Sequence, residues 1–218
     1  MSDKSLKLYH YVHCPFCIRV RMALGYFKMP YTSIVLPYND EATPIKLTQK
    51  KMLPIVEQNQ KVMNESLDII KHFDKFNMLD TERCLSNPEF EILTQSIEQI
   101  GELVHSLAMP YWIWTPEFNN ESRDYFVKKK EQKRGPFKDL VKNRQQFIEP
   151  LEKLLAPIIK KFKPYYLNKE ISLFDVMLAS HLWGLYTVVE YQLDPKLHQY
   201  LQLVGKQCHF SYHEDFWR

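Results

Sequence analysis

Apolar positions change rhythm once along this chain. Residues 1–76 trade short strand-like runs with helix-like ones, and the remainder reads almost entirely as helix. Leu6 to Val12 alternates weakly and carries Leu, Tyr and Val, which predicts a first strand. Pro15 then marks a helix start, because proline suits the first turn, where its missing N–H leaves no bond unmade. That helix is expected to run to about Phe27, and β-rich Tyr31 to Leu36 to form a second strand. Asp40 to Lys50 predicts a short helix with Thr43 as its cap before Pro44. Pro54–Glu57 and Lys61–Met63 flank the turn Gln58-Asn59-Gln60 and predict an antiparallel hairpin. Ser66 to Phe76 closes the unit as a helix, giving the order βαβα then ββα.

The polar stretch 77–88 is the expected linker, leaving 1–76 and 89–218 as two domains. Beyond it Phe90, Leu93, Ile97, Ile100, Val104 and Leu107 recur every three or four residues, one face of a long amphipathic helix. Ser172-Leu173-Phe174-Asp175 has the spacing of a capping box, with Ile171 and Val176 as its hydrophobic staple. The helix behind it is expected to reach about Tyr191 and, apolar almost all round from Val176 to Val189, to form the buried centre of the second domain.

Composition narrows the function classes. Five glycines against thirteen prolines in 218 residues disfavour Gly-rich phosphate cradles and turn-dense β folds. A net charge of +3 does not define a nucleic-acid-binding surface. Residues 121–146 hold nine Lys/Arg against four Asp/Glu, but the acids interleave and Phe126, Phe137 and Leu140 supply apolar anchors, so a solvated helix face is expected. Tyr111, Trp112 and Trp114, between Pro110 and Pro116, are expected to pack as a loop cluster. No run approaches the ~18 apolar residues of a spanning helix, and the start lacks a basic region followed by an apolar one. A cytoplasmic protein without membrane insertion is expected.

Cys14, Cys17, Cys84 and Cys208 are too few and too scattered for a disulfide scaffold. Cys14-Pro15-Phe16-Cys17 falls where a strand ends and a helix begins. Cys14 at the helix N-cap faces unsatisfied N–H groups and the positive end of the helix dipole, which favour a thiolate. Cys17, three positions on, sits farther into the helix. Cys14 is therefore expected to attack and Cys17 to resolve, the two forming the redox-active disulfide. The alternative is half of a zinc site. No second CxxC or histidine pair at metal spacing accompanies it, and His10 and His13 do not converge with both sulfurs on one ion, so no metal is expected. Cys84 and Cys208 are expected to be structural or incidental.

The CPFC run after a first strand, Leu53-Pro54 opening a later strand and Glu65-Ser66 opening a helix together resemble the thioredoxin-like domain of glutathione-dependent proteins. With Tyr125-Phe126-Val127, Lys129-Lys130-Glu131 and the helical second half, the whole chain resembles the glutaredoxin 2 family, bacterial glutaredoxins built like glutathione transferases. Short glutaredoxins carry a Gly-Gly step where this chain has Asn64-Glu65-Ser66. The resemblance implies an α/β plus all-α fold, a thioredoxin-like domain followed by an all-helical domain like the C-terminal half of a glutathione transferase. It implies a cis Pro54, with the Leu53 backbone binding the cysteinyl part of glutathione as a neighbouring strand would. Ser66 would take the γ-glutamyl carboxylate, Glu65 its ammonium, and Lys51 or Lys50 the glycyl carboxylate.

These positions imply a monomeric dithiol glutaredoxin recycled by glutathione, with glutathionylated or disulfide-bonded proteins as partners and no nucleic acid. A cysteine-type glutathione transferase or dehydroascorbate reductase is the alternative enzyme, though it needs one thiol at most. A noncatalytic protein of the chloride-intracellular-channel type is the alternative from another class.

Overall fold

The computed structural model describes residues 5–211. A four-stranded sheet of order β2-β1-β3-β4 opens the chain, with β1 (Lys7–His10) at the centre, parallel to β2 (Thr32–Val35) and antiparallel to β3 (Ile55–Gln58). Leu8 and His10 point into the core while Lys7 and Tyr9 are only half-buried, the period-two pattern of a strand covered differently on its two faces. β4 (Lys61–Asn64) pairs antiparallel with β3 through a two-residue turn. Asn59 and Gln60 both have positive φ, 52° and 63°, the backbone that a tight hairpin's twist requires.

α1 (Pro15–Tyr26) packs between the sheet unit and the helical unit, against both α3 (Ser66–Phe73) and α9 (Leu173–Leu182). Both units press so closely on α1 that nine of its first ten residues are buried. At its far end a Cβ on Gly25 would lie 1.9 Å from the Cys208 carbonyl oxygen, so glycine is required for the end of α10 (Pro195–Gln207) to close over it. α2 (Ala42–Thr48) is not capped by Thr43. Asp40 Oδ1 accepts from Thr43 N–H at 2.9 Å, which puts Thr43 and Pro44 inside the first turn.

The stretch read as a linker carries α4 (Thr81–Ser86). Asp74 accepts from the N–H groups of Met78 and Leu79 and from the Thr81 hydroxyl, and the Leu79 carbonyl accepts from Leu173 N–H at 2.8 Å. With Leu79 and Cys84 buried, the connection is packed structure rather than a free tether. The domain ends at residues 1–4 and 212–218 lie outside the described residues.

α5 (Glu89–Trp112) runs through Pro110, so Tyr111 and Trp112 belong to a helix and not to a loop cluster. A proline this near the C-terminal end removes a single intrahelical donor. Trp112 is buried, whereas Trp114 is 67% exposed with the Arg123 guanidinium 4.4 Å from its ring. α6 (Asn120–Arg134), α7 (Phe137–Lys142) and α8 (Gln145–Ile159) follow, with Phe126, Phe137 and Leu140 buried beneath the basic stretch. The Asn119 side chain caps α6, and Gly135 at φ 82° ends it.

Asp175 closes the expected capping box, accepting from Ser172 N–H at 2.9 Å. It also accepts from Tyr166 N–H and the Tyr200 hydroxyl. Burial outweighs these bonds and pushes its carboxyl up to about 6. The helix does not reach Tyr191. It stops at Leu182 and tightens into a 3₁₀ turn over Trp183–Thr187. Gly184 there lies so close to Trp112 that a Cβ would meet its ring at 2.9 Å, and the Thr187 hydroxyl bonds back to the Gly184 carbonyl. Val189, expected in the core, is 85% exposed as a result.

Candidate active site

Cys14 is the N-cap of α1, with extended backbone (φ −73°, ψ 120°), and Pro15 occupies the first helical position. Its carbonyl already accepts from Ile18 N–H at 3.0 Å. Cys14 as a residue is partly exposed, while Cys17, at the third helical position, is buried. Donation from the Cys17 thiol lowers Cys14 to about 7 against an opposing effect of burial, with help from the neighbouring His13 charge and the N–H groups of Cys17 and Phe16. Burial pushes Cys17 well up, and its bond to Cys14 pushes it further. The helix terminus thus favours the thiolate on one sulfur near neutral pH and keeps the other protonated.

Phe16, between the cysteines, is 47% exposed. The Arg19 guanidinium lies 5.0 Å from its ring centre, and His181 meets it edge-on at 5.4 Å. Arg19 is buried, and Nη1 donates to the Ser66 hydroxyl at 3.3 Å, linking the thiol helix to the start of α3. Desolvation lowers Arg19 to about 10, which leaves it cationic at neutral pH. Ser66 is the first residue of α3 rather than its cap. The N-cap is Glu65, whose backbone stands at φ 70°, ψ 106° with its side chain exposed. A non-glycine residue held there is strained, and such strain is commonly kept at binding sites.

The Leu53–Pro54 peptide is cis. Leu53 is buried, and the pairing of β3 with β1 ends at Ile55, two residues beyond it. Lys51 does not stand free. Its ammonium donates to Glu41 Oε1 at 2.5 Å and to the Tyr125 hydroxyl at 3.1 Å, and lies 4.6 Å from the Tyr125 ring centre. Hydrogen bonds from Lys51 and then Tyr125 hold the Glu41 carboxyl below its ordinary range. Lys50 is exposed. Ser66 and the cysteines are therefore joined by direct contacts through Arg19 and Phe16, whereas Lys51 reaches the site through Tyr38, whose ring lies 5.6 Å from His13.

Two groups named in the sequence reading stand beside Cys14 in places it did not foresee. His13 is buried, and its Nδ1 bonds Glu117 Oε1, from the loop between α5 and α6. Lys130 on α6 faces Cys14, and desolvation lowers its ammonium. A histidine immediately before the first cysteine of the motif was readable in the sequence, but nothing near Glu117 in sequence marks it as that histidine's partner. Cys84 and Cys208 are buried thiols pushed up by desolvation. A groove of about 630 Å³ between α8 and α10, lined by residues such as Glu152, Leu155 and Tyr191, shares no residue with the thiol site. Among the described residues no cluster of three or more His, Cys, Asp or Glu could hold a metal ion, and no helix is long and apolar enough to cross a membrane.

Comparison with known proteins fits this geometry. Residues 8–76 match the glutathione S-transferase N-terminal domain, and residues 92–214 match the glutaredoxin 2 C-terminal domain. Glutaredoxin 2 of Escherichia coli K12 is 30% identical over 217 residues, covering 94% of this chain and 97% of that protein. The crystal structure of glutaredoxin 2 from Salmonella typhimurium in complex with glutathione superimposes with a TM-score of 0.84 at 27% identity, covering 96% and 97% of the two chains. The glutathione transferase GSTFuA3 of Phanerochaete chrysosporium shares the fold at 15% identity, with a TM-score of 0.73 over 93% of this chain and 97% of that one. The chain belongs to the glutaredoxin 2 family and is, in that general sense, an oxidoreductase acting on thiols.

Proposed function

We propose that this protein is a dithiol glutaredoxin that reduces glutathione mixed disulfides and protein disulfides, with glutathione as reductant. The observation that carries this reading is the asymmetric pair at the start of α1, a partly exposed Cys14 lowered to about 7 and a buried Cys17 pushed up. The Cys14 thiolate attacks the glutathione sulfur of a mixed disulfide. A Cys14–glutathione disulfide forms, the old S–S bond breaks, and the protein sulfur leaves as a thiolate that takes up a proton. A second glutathione thiolate then attacks the bound glutathione sulfur, releasing oxidised glutathione and the Cys14 thiolate. With a protein disulfide, Cys14 forms the mixed disulfide with one protein sulfur and Cys17 attacks Cys14. The second protein thiol leaves, and the Cys14–Cys17 disulfide is reduced by two glutathiones.

In this reading Leu53 pairs its backbone with the cysteinyl part of glutathione beside Pro54. Ser66 binds the γ-glutamyl carboxylate, with Arg19 behind it adding positive charge, and Glu65 accepts from the ammonium. Lys51 exchanges its Glu41 contact for the glycyl carboxylate. The relative from Salmonella typhimurium, solved in complex with glutathione, supports this choice of ligand. The protein acts as a monomer in the reducing cytoplasm, on glutathionylated or disulfide-bonded proteins.

The test is turnover of a glutathione mixed disulfide, dehydroascorbate and an aromatic electrophile, side by side, by wild type and Cys17→Ser. Fast turnover of the mixed disulfide by both proteins is expected, with reduction of protein disulfides falling in Cys17→Ser. Turnover of the electrophile or dehydroascorbate alone would overturn the reading in favour of a cysteine-type transferase or dehydroascorbate reductase.

A further inference from the structure

The thiol loop meets the helical unit at a buried charged contact. Glu117 is 3% exposed and His13 6% exposed. His13 Nδ1 and its backbone N–H both bond Glu117 Oε1, the latter at 3.2 Å, and the Thr115 hydroxyl donates to Oε2 at 2.8 Å. Burial raises the Glu117 carboxyl, but the His13 charge and hydrogen bond outweigh it and leave the group below its ordinary range. A carboxylate that stays charged in the interior needs a counter-charge, and the side chain that bonds Glu117 and can carry one is His13. Around the imidazole stand the rings of Tyr11, Tyr38, Trp112, Phe118 and Phe126, with centroids 5.2 to 5.6 Å away, an aromatic cage of the kind that favours a cation.

We propose that Glu117 holds His13 as an imidazolium and that this cation, next in the chain to Cys14, favours the Cys14 thiolate, so that the helical unit sets the reactivity of the thiol unit. Glu117 is thus a positioning residue that acts through His13. The inference rests on Cys14 as the nucleophile proposed above. Other charged and titratable groups face the pair from every side. Tyr11 and Tyr38 come from the sheet unit, Cys17 and Arg19 from α1, His105 from α5 and Lys130 from α6. Desolvation lowers His105 to about 3, so it stays neutral and adds no cation. Arg19 and Lys130 supply a background positive charge that does not depend on Glu117.

The sign of one substitution separates this role from simple proximity. Acting directly, the negative Glu117 would raise the Cys14 thiol, and its removal would lower it. Acting through His13, its removal raises it. For Glu117→Gln, which keeps the side chain's shape, thiolate absorbance titration of Cys14 is expected to move up by about one pH unit. The thiolate fraction falls about ninefold near pH 6, and nucleophilicity rises about threefold with the higher pKa. Alkylation by iodoacetamide should therefore slow about threefold near pH 6 and quicken nearly threefold near pH 9.

A merely structural lesion would not make the two profiles cross. In a His13→Gln background, adding Glu117→Gln should leave Cys14 unchanged or lower it. Should the variant fail to fold, the imidazole ¹⁵N resonances of wild type near pH 7 decide the matter, with the imidazolium pattern expected. A neutral imidazole, or a Cys14 titration unmoved or lowered in Glu117→Gln, overturns the proposal. None of these readouts is turnover, so they fail separately from the functional reading, whose own failure would be a Cys14→Ser protein that still reduces mixed disulfides.

Discussion

The lowered Cys14 thiol makes the stability of the reduced protein depend on pH in a calculable way. Folded Cys14 ionises at about 7, whereas an unfolded cysteine does so at ~8.5. Between these values the unfolded chain holds a proton that the folded one has lost, so the free energy of unfolding rises with pH. A folded pKa that is depressed contributes stability present above the unfolded value and lost as pH falls through the folded one. The gap corresponds to about 2 kcal/mol at saturation. About 1.5 kcal/mol of it should develop between pH 6 and 8.5, trimmed to about 1 kcal/mol because Cys14 is partly exposed and solvent screens it.

Cys14→Ser removes this contribution and leaves the other titrations in place, apart from its coupling to Cys17. Cys17 and Cys208 are raised, so their contributions run the other way, present below ~8.5 and lost above it, which sets the upper end of the useful window. The assay is urea unfolding of fully reduced wild type and Cys14→Ser across that pH range. With a slope of about 2–3 kcal/mol per molar urea, the midpoint difference should grow by about 0.4 M from pH 6 to 8.5, wild type gaining. A difference that stays flat, or that grows in favour of the serine variant, would refute the reasoning.

Other expectations follow from particular contacts. Ser66→Ala and Glu65→Gln should each raise KM for glutathione several-fold with little change in kcat, because in the proposed complex they bind the γ-glutamyl end away from the reacting sulfur; steady-state kinetics with varied glutathione checks this, and an unchanged KM removes the residue from the site. Lys51→Ala should raise KM by a smaller factor, since the wild-type ammonium must first leave Glu41 and Tyr125. Gly25→Ala should destabilise the protein by about 2 kcal/mol or more and lower Tm by roughly 4–8 °C, because its methyl would collide with the Cys208 backbone. An alanine variant melting with wild type would mean that the end of α10 moves aside freely.

Much of the thiol unit was readable because its signals are local. Cys14-Pro15 announces a helix N-terminus in two residues, Asn59-Gln60 sits between two β-rich runs, and Ser172 with Asp175 caps α9 within one turn. Features decided by distant partners were not readable. α4 looks like polar linker because only Thr81 and Cys84 of it are buried, and Leu173, far along the chain, bonds Leu79 just ahead of it. α9 ends two residues before Gly184 meets Trp112, a contact that the apolar run from Val176 to Val189 does not encode.

The same holds within the site. The two cysteines declare themselves by spacing, but the Arg19–Ser66 bond and the His13–Glu117 pair join residues 47 and 104 positions apart. Family resemblance supplied Leu53, Pro54, Glu65, Ser66 and Lys51. It did not reveal that Lys51 is already paired with Glu41.

The central claim is that Cys14 is the sulfur that takes up glutathione. Its most direct test is to mix Cys17→Ser with a glutathionylated peptide, quench in acid and locate the glutathione by peptide mass spectrometry. The account predicts a glutathione adduct on Cys14 that disappears when free glutathione is added and never forms in Cys14→Ser. An adduct found on Cys84 or Cys208 instead, or one that survives Cys14→Ser unchanged, would contradict it.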